Sequence, residues 1–254
     1  MSYKSANNSY SDFEWHISNE LRKNMDDMDF MSNRNIMGIF GVGKEWGYKY
    51  CEQIQNEFPE FVSIIQKGVL DSIFIKLSIF GKPDNFYSDI LKKNLSANTA
   101  RYIYHALLIQ KYIYEKYKNT PIDIVEIGGG YGGLAFWLQV LNKNISKYYI
   151  CDLPVITQFQ NKCLSYFNTE CEFILNPIEF TKTDRPLFCI SNYGFSELNI
   201  DYQNMYTETI IKKANSGFMI WNNWTGIYKF TDNIIIQEHE RPGFEGIPNL
   251  FLYF

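Results

Sequence analysis

The chain has 254 residues, 46% of them apolar and 20% charged, a balance that excludes disorder over its whole length. Lys and Arg number 24 against 28 Asp and Glu, and the resulting net charge of −4 does not suit the basic face that a nucleic-acid partner requires. No apolar run reaches the about 20 residues that span a bilayer, and the polar opening Met1–Glu20, with Asp12 and Glu14, does not read as a secretory signal.

The first part of the chain is predicted to be helical and irregular. Met1–Asn8 is polar and is expected to fray. Phe13, Trp15 and Ile17 bring the first apolar content. Over Glu45–Phe58, Trp46, Tyr50, Ile54 and Phe58 recur every four residues, which predicts a helix that Pro59 closes. Phe61–Phe80 is a second apolar region, ended by Gly81-Lys82-Pro83-Asp84. Ser96–Lys118 is predicted as a long helix with Ala100, Ile103, Tyr104, Leu107, Leu108 and Tyr112 on one face, ended at Asn119-Thr120-Pro121.

After Pro121 the pattern changes to short apolar runs alternating with helical segments. Ile122–Ile127 is a predicted buried strand, Gly128–Gly133 a glycine loop and Leu134–Leu141 a helix. Lys147–Cys151 is a second strand, and Asp152-Leu153-Pro154 opens the next helix with Pro in its first turn. Cys171–Leu175 and Leu187–Ile190 are the third and fourth strands, Asp201–Ala214 is a helix, and Gly217–Trp221 is the fifth strand. Asn233–Gln237 and Asn249–Phe254 end the series, and no internal repeat is visible. Such alternation predicts a parallel sheet with helices on both faces. The gap Glu238–Pro248 is too short and too rich in Gly and Pro for a crossover helix, so the last two strands should pair antiparallel.

Five cysteines (Cys51, Cys151, Cys163, Cys171, Cys189) are an odd number with no C-x-x-C pair. Neither a structural zinc site nor a disulfide framework is expected, and a reducing, cytoplasmic setting is. Cys151, Cys171 and Cys189 fall in or beside strand-like runs and read as small buried hydrophobes.

The sharpest motif is Glu126-Ile127-Gly128-Gly129-Gly130-Tyr131-Gly132-Gly133, which follows a predicted strand and opens a helix. Glycines allow the tight turn and the close approach of a ligand, and the free N–H groups of the helix start suit an anionic group. Gly128, Gly130 and Gly133 satisfy G-x-G-x-x-G of dinucleotide sites. Glu126, Gly128, Gly130 and Gly132 satisfy E-x-G-x-G-x-G of S-adenosylmethionine (SAM) enzymes. The glycines leave both open. Glu126 favours SAM, because an acid at the strand end is awkward beside a pyrophosphate and natural beside a cationic, zwitterionic ligand. Asp152, at the end of the second predicted strand, suits ribose hydroxyls in either case. A short-chain dehydrogenase needs Tyr-x-x-x-Lys after the loop. Tyr112 with Lys116 and Tyr114 with Lys118 both precede it, and no later Tyr has Lys four residues on.

At this point the chain resembles the sugar O-methyltransferase family, a branch of the class I SAM-dependent methyltransferases. The resemblance rests on VEIGGGYGGLA (Val125–Ala135), YYICDLP (Tyr148–Pro154) and SNYGFSEL (Ser191–Leu198), with softer matches at Ala100-Arg101-Tyr102 and GFMIWNN (Gly217–Asn223). It covers about residues 95 to 225 and departs from the family at Gly194-Phe195, where Leu is usual. The resemblance implies an α/β, Rossmann-like fold: a mostly parallel seven-stranded sheet with an antiparallel C-terminal strand, plus a helical N-terminal extension. Residues 1–95 would be the extension or lid and 96–254 the SAM-binding domain. It further implies that Glu126, Gly128, Gly130 and Gly132, with Gly129 and Tyr131 between them, line the methionine part and ribose of S-adenosyl-L-methionine. Asp152 would bind the ribose hydroxyls with Leu153 against the adenine. Asn176 and Pro177 would meet the adenine edge, and Ser191, Asn192 and Tyr193 would lie closest to the methyl group. The implied reaction is methyl transfer to the hydroxyl of a sugar, nucleotide-linked or in a surface glycan. A non-sugar acceptor, or a scaffold protein that kept the fold without catalysis, are the other readings.

Candidate catalytic residues are Glu197, His105 and His239. Glu197 lies just past the fourth strand, where it would hold a hydroxyl or, with Ser196, cap the helix near Asp201. His105 shares a helix face with Arg101, four residues before it, at the end expected over the ligand edge. Arg101 suits a bidentate bond to the SAM carboxylate, with Tyr102 beside it, or it is a surface charge. His105 is alternatively a satisfied core histidine. His239, in Glu238-His239-Glu240-Arg241, suits a base or a metal ligand, or else a solvated turn on an edge strand. His16 would belong to the lid or to a plain surface. Gly38–Lys44 fits G-x-x-x-x-G-K, but Glu45 replaces the Ser or Thr of a phosphate loop and no strand precedes it. Trp221, Asn222, Asn223 and Trp224 would form an acceptor wall or pack in the core. No metal, no membrane span and no nucleic acid are expected, and a homo-oligomer is left open.

Overall fold

The computed structural model describes residues 19, 29–33, 41–222, 230–231, 234, 236–243 and 249–254. Phe13, Trp15, His16, Asn223 and Trp224, and Gly38, Ile39 and Phe40 of the Gly38–Lys44 segment, lie outside the described residues.

Helix α1 (Lys44–Glu57) buries Tyr50 and Ile54 of the predicted stripe, and Pro59 ends it by starting α2 (Pro59–Gln66). The apolar region predicted as one unit is two helices, α2 and α3 (Asp71–Ile79), parted where Gly68 takes φ +83°. A hairpin follows that the sequence reading did not anticipate. Its strands β1 (Asn85–Ser88) and β2 (Lys93–Ser96) pair antiparallel, and Ser88 Oγ accepts the Leu91 N–H at 3.1 Å in the turn. Ser96 then caps α4 (Ala97–Tyr117) by accepting the Thr99 N–H. This helix packs against α1 on one side and against α5 (Gly133–Leu141) on the other.

The main sheet comprises β3 (Ile122–Ile127), β4 (Ile145–Cys151), β5 (Glu172–Ile174), β6 (Leu187–Asn192), β7 (Ser216–Trp221), β8 (Ile236–His239) and β9 (Leu250–Tyr253). Its order is β5-β4-β3-β6-β7-β9-β8. The first five pair in parallel, while β9 runs antiparallel to both β7 and β8. This is the expected seven-stranded, mainly parallel sheet with an antiparallel C-terminal strand. The sixth strand starts later than predicted, at Ile236 rather than Asn233, and extends to His239.

Helix α6 (Pro154–Tyr166) follows β4, and the short α7 (Gly194–Glu197) and α8 (Ile200–Thr209) follow β6. Side chains alternate across the sheet as strand geometry demands. Ile124, Phe188, Ile190, Phe218 and Ile220 join one core with α1, α4, α5 and α6. Val125, Ile127, Cys189, Met219 and Trp221 join the other with residues of α8. Cys51, Cys151, Cys163 and Cys189 are buried free thiols, and Cys171 is a half-buried one. No helix among the described residues is long and apolar enough to cross a membrane.

Candidate active site

The carboxyl ends of β3, β4, β6 and β7 share one edge of the sheet because these strands are parallel. Since β9 runs antiparallel to β7 and β8 to β9, β8 also ends at that edge, and β9 begins there. Open α/β sheets place their ligands at this edge.

The glycine loop turns between β3 and α5 with Gly128, Gly130 and Gly132 at φ +77°, +57° and +90°. A Cβ on Gly128 would stand 3.2 Å from the Cα of Gly194, so glycine here lets the loop meet the start of α7. Asp152, just past β4, is locked to the loop. Its Oδ2 accepts from Gly129 N–H at 3.0 Å and Gln160 Nε2 at 2.8 Å, while Oδ1 accepts from Leu153 N–H at 2.9 Å. Burial pushes its carboxyl up to about 6 against those bonds. Glu126 is 1% exposed and takes the Tyr148 hydroxyl on Oε2 at 2.8 Å. Burial, opposed by that bond and helped by the nearby Asp152, pushes its carboxyl up to about 8. Gln160 Oε1, beside this pair, has no hydrogen-bond partner.

The fourth-strand motif divides its work. Ser191 is a clasp: its Oγ donates to Ile127 O at 2.7 Å and accepts from Phe195 N–H at 2.9 Å, tying β6 to β3. Asn192 Nδ2 lies 3.3 Å from His105 Nδ1, and Asn192 Oδ1 is buried without a partner. Tyr193 takes φ +68° and gives its hydroxyl to Glu240 Oε1.

The first half of α4 brings Arg101, Tyr102 and His105 to the same place. Arg101 is half-buried among the phenol rings of Tyr102, Tyr193, Tyr50 and Tyr131, with its Cζ 5.3 Å from the Tyr102 ring centre. The Tyr102 ring meets that of Tyr131 edge-on at 5.3 Å. His105 is 1% exposed, and burial, then the charge of Arg101, hold its imidazole well below the usual histidine range. It is therefore neutral at pH 7. The ring of Tyr50 meets it edge-on at 5.6 Å.

Of the other candidates, Glu197 is exposed and accepts from Asn222 Nδ2 at 2.6 Å. Neither Ser196 nor Glu197 caps the next helix, because Asn199 does so through the Tyr202 N–H. Trp221 is core, stacked on Phe230 at 5.8 Å. Leu153 is half-buried at the start of α6. Asn176 is exposed and caps its own turn through Ile178 N–H, with Pro177 buried behind it. His239 is exposed on the edge strand and is not brought into the group around His105.

Sequence reasoning missed Glu240, Asn249 and Tyr50. Glu240 is buried, its Oε2 accepts from Asn249 Nδ2 at 2.8 Å, and its Oε1 lies 3.8 Å from His105 Nε2. The available signal was the antiparallel ending itself, which returns the residues flanking β8 and β9 to the ligand edge. Among the described residues, no group of three or more His, Cys, Asp or Glu is placed to hold a metal ion.

No known protein family matches the chain, and no curated protein does. Several solved structures are similar to it. A candidate RNA methyltransferase of Pyrococcus horikoshii is 12% identical with a TM-score of 0.45, over 61% of this chain and 82% of that one. Magnesium protoporphyrin IX methyltransferase of Synechocystis, solved with bound SAM, is 11% identical with a TM-score of 0.44, over 61% of this chain and 82% of that one. A SAM-dependent methyltransferase of Aquifex aeolicus is 10% identical with a TM-score of 0.43, over 56% of this chain and 87% of that one.

Proposed function

We propose that the protein is a SAM-dependent O-methyltransferase whose acceptor is a sugar hydroxyl, nucleotide-linked or in a surface glycan. The cofactor part of this reading is supported by the coupling of three features at one edge, the glycine loop, the buried Glu126 and the Asp152 carboxylate bonded to Gly129 N–H, and the sugar acceptor follows the family resemblance alone. The residues fit that cofactor. Glu126 is a buried acid with one donor, suited to a cationic partner. Asp152 and the unpartnered Gln160 Oε1 offer acceptors for ribose hydroxyls, and Arg101 offers a cation for the carboxylate. When bound, SAM supplies an electrophilic methyl group.

The chain's own residues do the rest. The loop and Asp152 fix the cofactor's position, Asn192 and Tyr193 stand at the end of β6 beside it, and His105 takes the acceptor proton. Proximity supplies most of the rate and the base a further part. The described helices of the N-terminal extension contribute to the acceptor side, a role supported by Tyr50 reaching His105 from α1. Binding at other positions follows the family resemblance: Tyr102 and Tyr131 beside the carboxylate, Leu153, Asn176 and Pro177 around the adenine.

Calorimetric titration with SAM, S-adenosylhomocysteine and NAD tests the reading. SAM and S-adenosylhomocysteine should bind and NAD should not, and Asp152→Ala should weaken SAM by tenfold or more. Charge-assisted bonds contribute about 1.5–3 kcal/mol each, and about 1.4 kcal/mol is a factor of ten. NAD binding in place of SAM would refute it.

A further inference from the structure

Glu240 is not among the candidate site residues of the sequence, yet it is a buried carboxylate beside His105. Resting on the methyl-transfer reading above, we propose that Glu240 is a positioning residue: it holds His105 with its proton on Nε2, which leaves Nδ1, on the Asn192 side, as the atom that accepts the acceptor's proton.

The argument is one of donors and acceptors. Glu240 receives Tyr193 O–H on Oε1 and Asn249 Nδ2–H on Oε2, so both oxygens act as acceptors, which is the pattern of an ionised carboxylate. His105 Nε2 lies 3.8 Å from Oε1, beyond hydrogen-bond distance, and has no hydrogen-bond partner. A bare lone pair on Nε2 would face that oxygen in a buried setting, which is costly. An N–H there faces an acceptor instead. With the proton on Nε2, Nδ1 carries the lone pair, and Asn192 Nδ2 is placed 3.3 Å away to donate to it. Turning the Asn192 amide end for end would satisfy its orphaned Oδ1 only by moving the imidazole proton to Nδ1, which restores the clash at Nε2.

The consequence is directional. Nδ1 faces the end of β6, where the proposed methyl donor and the acceptor hydroxyl meet. As the hydroxyl proton passes to Nδ1, the ring becomes an imidazolium next to Arg101, whose charge opposes it. The Glu240 carboxylate on the opposite nitrogen offsets that charge. A carboxylate that fixes the tautomer of a basic imidazole is a general device of proton-transfer sites.

The chain has three histidines, so nitrogen-15 NMR of the imidazoles resolves them, with His105 assigned by difference against His105→Gln. In the wild type His105 should be protonated at Nε2 and unprotonated at Nδ1 from pH 6 to 8. Glu240→Gln, which keeps an acceptor oxygen, should retain that tautomer. Glu240→Leu, which has none, should lose it in favour of Nδ1–H. A wild-type proton on Nδ1, or an Nε2–H tautomer that survives Glu240→Leu, overturns the proposal. Should Glu240→Leu fail to fold, the wild-type tautomer decides alone. S-adenosylhomocysteine affinity should stay within twofold in Glu240→Gln. Its absence in the wild type would count against the methyl-transfer reading, a result separable from the tautomer.

Discussion

Tyr148 on β4 and Glu126 on β3 are joined by a 2.8 Å hydrogen bond between the tyrosine hydroxyl and carboxylate Oε2. Both side chains are essentially out of solvent, at 2% and 1% exposure. One donor does not replace the water a carboxylate loses on burial, and so the Glu126 carboxyl is pushed from the usual range up to about 8. In the folded protein without a cationic ligand, this group holds its proton where the unfolded chain would release it.

That imbalance fixes the sign of a stability change. Between the ordinary glutamate range near 4.5 and about 8, the native state binds more protons than the unfolded state. The unfolding free energy therefore falls as pH rises through this window, at up to about 1.4 kcal/mol per pH unit for a single group. Asp152, raised to about 6, adds the same sign at lower pH. Glu126→Gln should flatten the fall. Urea unfolding midpoints from pH 5 to 8 check this, and a wild-type stability that rises steadily with pH would contradict it.

The same proton should report on the ligand. A sulfonium and ammonium near Glu126 favour the carboxylate, so SAM binding near pH 7 should expel a proton. Titrations in two buffers of different ionisation enthalpy should then give different apparent enthalpies, and Glu126→Gln should abolish the difference. Equal enthalpies in the wild type would place the positive charge away from Glu126.

Gly132 should not tolerate a side chain. Its φ is +90°, and a Cβ there would lie 2.8 Å from Leu164 Cγ. Gly132→Ala combines unfavourable backbone with overpacking against α6, a cost of about 1–3 kcal/mol. Because the loop carries Gly129 N–H to Asp152, cofactor affinity should fall along with the melting temperature. Thermal unfolding and calorimetry on one sample check both, and an unchanged melting temperature would mean that Leu164 and the loop yield freely.

What the sequence made legible was local. The strand, loop and helix around Glu126, and the acid after the next strand, are encoded by neighbours in the chain, and strand-helix alternation implies the parallel sheet. The β1–β2 hairpin was hidden because each strand is four residues long and carries Asn and Lys rather than a β-branched stripe. The sixth strand was misplaced because its last two residues, Glu238 and His239, are polar and read as the start of the following loop. Glu240 and Asn249 were invisible as site residues because only the reversal at β9 brings them to the sheet edge used by Asn192. His105 was found by helical spacing from Arg101, but its partners Tyr50 and Glu240 come from segments no local pattern connects.

Tyr50 tests whether the N-terminal extension belongs to the proposed acceptor pocket. It sits on α1, 2% exposed, with its hydroxyl bonded to that of Tyr193 and its ring edge-on to His105 at 5.6 Å. Tyr50→Phe keeps the ring and deletes one hydrogen bond. The stability cost should be about 1 kcal/mol, a fall of about 2–4 °C in melting temperature for a domain of this size. S-adenosylhomocysteine affinity should be unchanged, because Tyr50 does not touch the glycine loop's bonds to Asp152. Methyl transfer should fall by about tenfold, the loss of about 1.4 kcal/mol from a step that relies on His105 and Tyr193 being held in place. Transfer of label from SAM to a panel of nucleotide sugars, measured alongside binding, separates the two effects. A variant that binds and methylates at the full rate would remove α1 from the acceptor pocket and leave Tyr50 as part of the helical core alone.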